Sequence, residues 1–268
     1  MAAEPTPVRR WSPPPLIGNP VLRWLALLGV VAYLVLATGS IEINWVRVAR
    51  GLERSQRLIS EFLRPDFVSR WSHIQRGILE SLAMAVSSTL IGTLLCIPFG
   101  LGAARNVSTP VVYMLCRVVI VLARSFQEVI IAIFFVVMVG FGPLAGMLTL
   151  SLATVGFLAK LLAEAIENTD PTQIEAMRAT GANWLQIIVY GVVPQVFPRF
   201  VGLAVYRLDQ NFRNSAVIGI VGAGGIGAVL TTAMSRYDYS VAGAILMTIV
   251  LLVLLAEYAS GIIRARLQ

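Results

Sequence analysis

Apolar residues along this chain gather into six stretches, 22–40, 78–103, 111–139, 144–166, 196–220 and 241–263, each closed by charged or turn-forming residues. A hydrocarbon layer about 30 Å thick takes about 20 mostly apolar residues per helical crossing, so each stretch predicts a membrane-spanning helix. The expected fold class is all-α, a polytopic membrane helical bundle of about six transmembrane helices. Two stretches depart from a plain apolar run. The third would measure about 43 Å as a straight helix, longer than the layer, which predicts a kink or break near Ser125 to Gln127. The fifth carries Arg199, Arg207 and Asp209 and merges with a run of glycines.

The polar intervals divide the chain into a cytoplasmic tail (1–21), a first transmembrane helix (22–40), an amphipathic interfacial segment (41–77), a core (78–263) carrying a long polar loop (167–195), and a short cytoplasmic C-terminus (264–268). Six crossings put both termini on one side, and Arg9, Arg10, Arg23, Arg264 and Arg266 mark that side as the cytoplasm. The loop 167–195 then faces the cytoplasm as well. In segment 41–77, Arg47, Arg50, Arg54 and Arg57 recur at helical spacing as one stripe, mostly away from Trp45, Val48, Leu52, Ile59 and Phe62. Such a helix either lies flat among lipid headgroups or packs, solvated, on the bundle, and both readings stay open. Parity places it outside, against the preference of cationic loops for the cytoplasm. For the first stretch, a cleaved secretory signal is the rival of a retained span, because Arg9 and Arg10 precede an apolar run ending in LATGS.

Composition narrows function more than fold. With 57% hydrophobic and 13% charged residues, the chain is far from soluble domains, which carry about 25% charge. Cys96 and Cys116 lie in apolar stretches without metal-ligand or redox spacing. One His and two separated Cys make no nucleophile and base pair and no metal cluster, so no enzyme chemistry, metal or nucleic-acid partner is expected. Gly222, Gly224 and Gly227 match G-x-G-x-x-G, yet a dinucleotide site needs a preceding strand and an acidic residue about 20 residues on. Asp238 comes too early, just ahead of an apolar span. At membrane depth Gly222, Gly224, Gly225 and Gly227 instead suggest a helix break lining a path, or a simple tight turn between spans. Lys160 follows Ala159, so the chain has no G-x-x-x-x-G-K-[ST] phosphate loop.

An ionisable side chain at the bilayer centre costs at least about 2.5 kcal/mol, which makes each one a functional candidate. Arg117, Arg124 and Glu128 fall at i, i+7 and i+11, on one face of an unbroken helix, with Arg124 and Glu128 spaced to pair. Together with Gln127 they form one candidate cluster on a translocation path. Arg207, Asp209, Asn211 and Arg213 form the second. There Asp209 and Arg213 are spaced to neutralise each other, which is the alternative to contact with a substrate.

The loop 167–195 carries the most specific pattern. Thr169 or Asp170 with Pro171 signals a helix start, Gly181 the end of that short helix, and Pro194 the close of a second. Glu175-Ala176, Arg178, Gly181-Ala182 and Pro194 resemble the E-A-A loop of bacterial ABC importer permeases, with Met177, Gly191 and Val193 as departures. Further stretches, Ala104–Asn106, Arg124–Glu128, Gly156–Glu167 and Phe212–Gly227, are similar to the phosphonate-importer permease family, in which Pro is usual at Gln127. The related methionine permeases share the final glycine run.

The resemblance implies a non-catalytic subunit of the bacterial cytoplasmic (inner) membrane, forming the translocation pathway of an ATP-driven importer. It implies a homodimer with a second copy of the permease. It also implies two cytoplasmic ABC ATPase subunits gripped through Glu175 to Pro194, and an extracytoplasmic substrate-binding protein. ATP and Mg would be bound by the partner ATPase, with no cofactor in this chain. The implied cargo is a phosphonate, then phosphate, phosphite or another small oxyanion, then methionine. Arginine's planar fork suits such an oxyanion. An ion-driven carrier should show an internal repeat, and the EAMRATGA loop has no second copy.

Overall fold

A computed structural model describes residues 19–40 and 45–267. The basic residues Arg9 and Arg10 lie outside the described residues, as do the side chains of Arg54, Arg57, Arg264 and Arg266. The described chain is helical without strands. Five of its helices are long and apolar enough to cross a membrane, or six when one sharply bent pair counts as a single span.

Contacts divide the chain into residues 1–56 and residues 57–268. The first unit holds α1 (Pro20–Gly39), started by Pro20 and by Asn19, whose side chain accepts from the Val21 amide at 3.1 Å. At 20 residues, α1 is about 30 Å long and matches the hydrocarbon layer. The amphipathic α2 (Trp45–Phe62) begins in this unit and ends in the next.

The second unit contains α3 (Trp71–Gly102), α4 (Pro110–Ser125), α5 (Glu128–Val139), α6 (Pro143–Glu167), the short α7 (Pro171–Ala179) and α8 (Trp184–Gln186), α9 (Val193–Gly219), α10 (Gly225–Ser235) and α11 (Tyr239–Leu267). Two spans start earlier than the apolar pattern predicts: α3 adds residues 71–77, and helical backbone runs unbroken from Trp184 to Gly219. Pro194 therefore does not close a helix. The wider π turn at Ile187–Val192 changes the hydrogen-bond register just ahead of it, and Pro194 falls in the first turn of α9, where its missing N–H costs little.

The centre of the bundle is α3 packed parallel to α6 in steps of eight residues. Met84 faces Gly146, Gly92 faces Thr154 and Gly100 faces Leu162. A Cβ on Gly92 would stand 2.5 Å from the Thr154 side chain, so the small residue is what lets the helices close. At one end of the bundle, the Arg105 amide donates to Glu167 at 3.0 Å, joining the ends of α3 and α6. At the other end Phe62 stacks on Tyr239, and the Asp66 amide donates to the Ser240 carbonyl at 3.1 Å. The end of α2 thus lies at the opposite end of the bundle from residues 167–195.

The glycine run is a turn between α9 and α10. Gly222, Gly224 and Gly225 take φ of 94°, 78° and 73°, which side chains rarely adopt. Gly227 has ordinary dihedrals but no room: a Cβ would stand 1.9 Å from the Ala216 carbonyl oxygen. Gly225 borders a cavity that Arg70, His73 and Glu80 also line. Gly224, Gly225 and Gly227 are buried and Gly222 is partly exposed. Gly227→Ala is expected to destabilise the chain by about 2 kcal/mol through overpacking, measured as thermal unfolding in detergent.

Candidate functional site

The predicted break is present and sharp. α4 stops at Ser125, Phe126 and Gln127 are extended (ψ 139° and 142°), and α5 leaves at 92° to α4. Glu128 opens α5, where an acidic side chain suits the helix dipole. Arg124, Ser125, Phe126 and Gln127 are exposed on the chain. Backbone freed from its ladder at membrane depth is tolerated only against protein or a water-filled cavity, so this face needs a cover.

Because α5 turns away, the expected single face of Arg117, Arg124 and Glu128 does not exist, and the three go to different places. Arg117 sits at the end of the bundle that carries Glu167: its Nη2 donates to Glu167 Oε1 at 3.0 Å, its Nε to the Ala103 carbonyl at 3.1 Å, and its guanidinium covers the Tyr113 ring. Arg124 has no carboxylate within ion-pair distance among the described residues. Glu128 reaches α9 instead of Arg124, accepting from Arg207 Nη2 at 2.8 Å and from Asn214 Nδ2.

This junction extends into a buried network halfway along α3 and α6. Arg207 Nε donates to Thr154 Oγ1 at 3.2 Å, and the guanidinium lies 5.3 Å from the Phe157 ring centroid. Asn211 Nδ2 donates to both Thr154 Oγ1 and Thr89 Oγ1 at 2.9 Å. Thr154 Oγ1 in turn donates to the Leu150 carbonyl, so this hydroxyl uses its one donor and both acceptor sites. The side chain of Arg207 is 5% exposed and that of Glu128 25%. Asp209 and Arg213 do pair, at 3.3 Å, with Arg213 largely exposed and also 3.8 Å from Glu257. Asp209 Oδ1 and Asn211 Oδ1 are buried without a partner among the described residues. Sequence reasoning passed over Thr89, Thr154 and Phe157, which look like ordinary helix-interior residues until α3, α6 and α9 bring them together.

Residues 167–195 form an exposed platform braced to the bundle. Asp170 caps α7, accepting from the Thr172 amide at 2.9 Å, while its own amide donates to Gln195. The amide and hydroxyl of Thr172 hold the Asp170 carboxyl below the usual carboxylate range. This cap therefore contributes fully above the ordinary carboxylate range and is lost as pH falls through the depressed value. Asp170→Asn is expected to keep amide protection in α7, and Asp170→Ala to lose it, by hydrogen exchange.

Glu175, Ala176 and Arg178 are exposed on α7, Gly181 takes φ +76° after it, and Ala182 donates back to the Met177 carbonyl. Asn183 and Gln186 form a reciprocal capping box at the next helix. Trp184 Nε1 donates to the Val107 carbonyl at 3.0 Å, tying the platform to the α3–α4 connection. Ile174 inserts into the cluster of Leu162, Ile166 and Val196. Pro194 is exposed beside this platform.

A family model described as "Binding-protein-dependent transport system inner membrane component" matches residues 96–268. The chain is 36% identical over 265 residues to the "Phosphate-import permease protein PhnE" of Mycolicibacterium smegmatis, covering 97% of this chain and 50% of that protein. It thus spans about half the length of that relative. It is 41% identical over 215 residues to the "Phosphite transport system permease protein PtxC" of Stutzerimonas stutzeri, covering 80% and 78%. Among solved structures, a chain of the inward-facing MetNI methionine ABC transporter superposes with TM-score 0.63 at 28% identity, covering 73% of this chain and 96% of that one.

Proposed function

The chain belongs to the binding-protein-dependent transport system inner membrane component family, and from that premise we propose that it is the permease subunit of an ATP-driven importer of small phosphorus oxyanions. Phosphonate is the first cargo reading, with phosphate and phosphite next; the names of the 36% and 41% identical relatives support phosphate and phosphite respectively. Two copies pair across the bilayer of the bacterial inner membrane. Each presents Glu175, Ala176, Arg178, Gly181, Ala182 and Pro194 to one cytoplasmic ATPase, which binds ATP and Mg, and an extracytoplasmic binding protein delivers the cargo. This chain supplies the pathway and performs no catalysis.

The observation that carries this reading is the polar break halfway through the bundle. Arg124 and Gln127 stand exposed there beside Glu128, which Arg207 holds from α9, in a region where lipid would not tolerate them. In a dimer this face would line the path. Arg117, which pairs with Glu167 at the end of the bundle, stands at its cytoplasmic mouth. Asp209 and Asn211 support the path from behind.

The test reconstitutes the chain with its cognate ATPase in liposomes and measures ATP hydrolysis. The cognate binding protein is added with methylphosphonate, phosphate, phosphite or methionine in turn. Stimulation by one phosphorus oxyanion names the cargo; stimulation by methionine alone overturns the cargo class, and no stimulation overturns the assignment. In the same system Arg124→Ala and Arg213→Ala are each expected to lower uptake about tenfold, the worth of one charge-assisted contact. Arg54→Ala, on α2, is expected to change it less than about twofold; equal losses in all three would remove the basic path.

A further inference from the structure

We infer that Glu128 is an internal counter-anion seated in the pathway's oxyanion site, and that cargo crosses mid-depth by taking its place on Arg207 and Asn214. The inference rests on the oxyanion-importer reading above. A carboxylate is held here as a bound anion would be. One oxygen meets Arg207 Nη2 at 2.8 Å and the other meets Asn214 Nδ2, two donors that lie seven residues apart and hence on one face of α9. The first turn of α5 adds the positive end of its dipole.

Which member of the pair moves follows from burial. Arg207 is the inner partner, locked by Thr154 and stacked against Phe157, whereas Glu128 is five times more exposed and stands at the rim of the break beside Arg124 and Gln127. The cation is therefore fixed and the anion displaceable. A guanidinium without a counter-charge at this depth is costly, so the socket needs an anion at all times. Glu128 fills it between cargoes, and its return expels the cargo. That competition keeps binding weak enough for release, and a neutral solute gains nothing there because it cannot replace the negative charge that Arg207 needs.

Two measurements test this on the permease–ATPase complex in detergent without binding protein, with inorganic phosphate as the probe. The first is equilibrium retention of radiolabelled phosphate. Wild type should retain it weakly, Glu128→Gln about tenfold more tightly, and Glu128→Gln/Arg207→Gln not at all. The second is thermal unfolding. Glu128→Gln should unfold at lower temperature than wild type and be restored by phosphate but not by sodium chloride of equal ionic strength, while wild type shifts little.

If Glu128→Gln assembles poorly, Glu128→Asp withdraws the same charge by one methylene and should fall between wild type and the tenfold gain. Phosphate retention in Glu128→Gln or Glu128→Asp at or below the wild-type level overturns the inference, as does a gain that survives loss of Arg207. Stimulation of wild-type ATP hydrolysis by loaded binding protein is read separately and fails only with the importer assignment.

Discussion

Gly181→Asp is expected to abolish ATP-driven uptake, by a hundredfold or more, while the chain still inserts and folds. Gly181 takes φ +76° and an added Cβ would meet nothing within 4 Å among the described residues, so inside this chain the substitution meets no clash and carries only the backbone strain of a positive φ. Asp is among the side chains that tolerate this backbone region, which holds the cost to the fold near 1 kcal/mol. The same open space is the reason function should fail. The new carboxylate projects from the turn between α7 and α8, on the exposed platform of Glu175, Ala176 and Arg178. There, in the proposed importer, it would have to be desolvated against the ATPase. Uptake into vesicles, beside co-purification of the ATPase and thermal unfolding of the permease, checks this. Lost uptake with unchanged unfolding and lost co-purification is the expected result, and Gly181→Ala, adding one methyl, should keep at least a third of the activity. Normal uptake by Gly181→Asp would remove the platform from the coupling surface.

The spans were legible in the sequence because a bilayer imposes one requirement, about 20 apolar residues per crossing, that no tertiary contact can replace. The break at Ser125 to Gln127 was legible for a related reason, since 111–139 is too long for one crossing. Its direction was not. Spacing at i, i+4 placed Arg124 against Glu128 on a continuous helix, and a 92° turn sends Glu128 to α9 instead. Thr89 and Thr154 carry no signal of their own: a β-branched hydroxyl in an apolar span ordinarily bonds to its own helix, and both do so while also accepting from Asn211. The close at Pro194 failed because a proline ends a helix only where its N–H was needed, and the π turn ahead of it removes that need. Gly181 and the glycines at 222, 224 and 225 were readable as turns because only glycine adopts their positive φ freely.

Arg207→Gln should lower the stability of the membrane core by about 3 kcal/mol and stop transport, the larger of the two effects expected at the charged clusters. Truncating a buried ion pair leaves the other charge uncompensated, and here Glu128 would lose its principal partner while Thr154 Oγ1 loses one of two donors. Arg207→Lys should not rescue it, because one ammonium cannot reach Glu128 and Thr154 in the fixed fork that a guanidinium presents. By contrast Arg213, with a side chain 47% exposed, should affect stability little when removed. Thermal unfolding in detergent, read beside uptake, checks the contrast. The double variant Glu128→Gln/Arg207→Gln should recover much of the lost stability, since it removes both buried charges together. It should recover none of the transport, because the fixed cation is what the path would lack. Recovered transport in the double variant would mean that the pair only holds the helices together, and a stable, inactive one would separate the structural part of Arg207 from its part in the path.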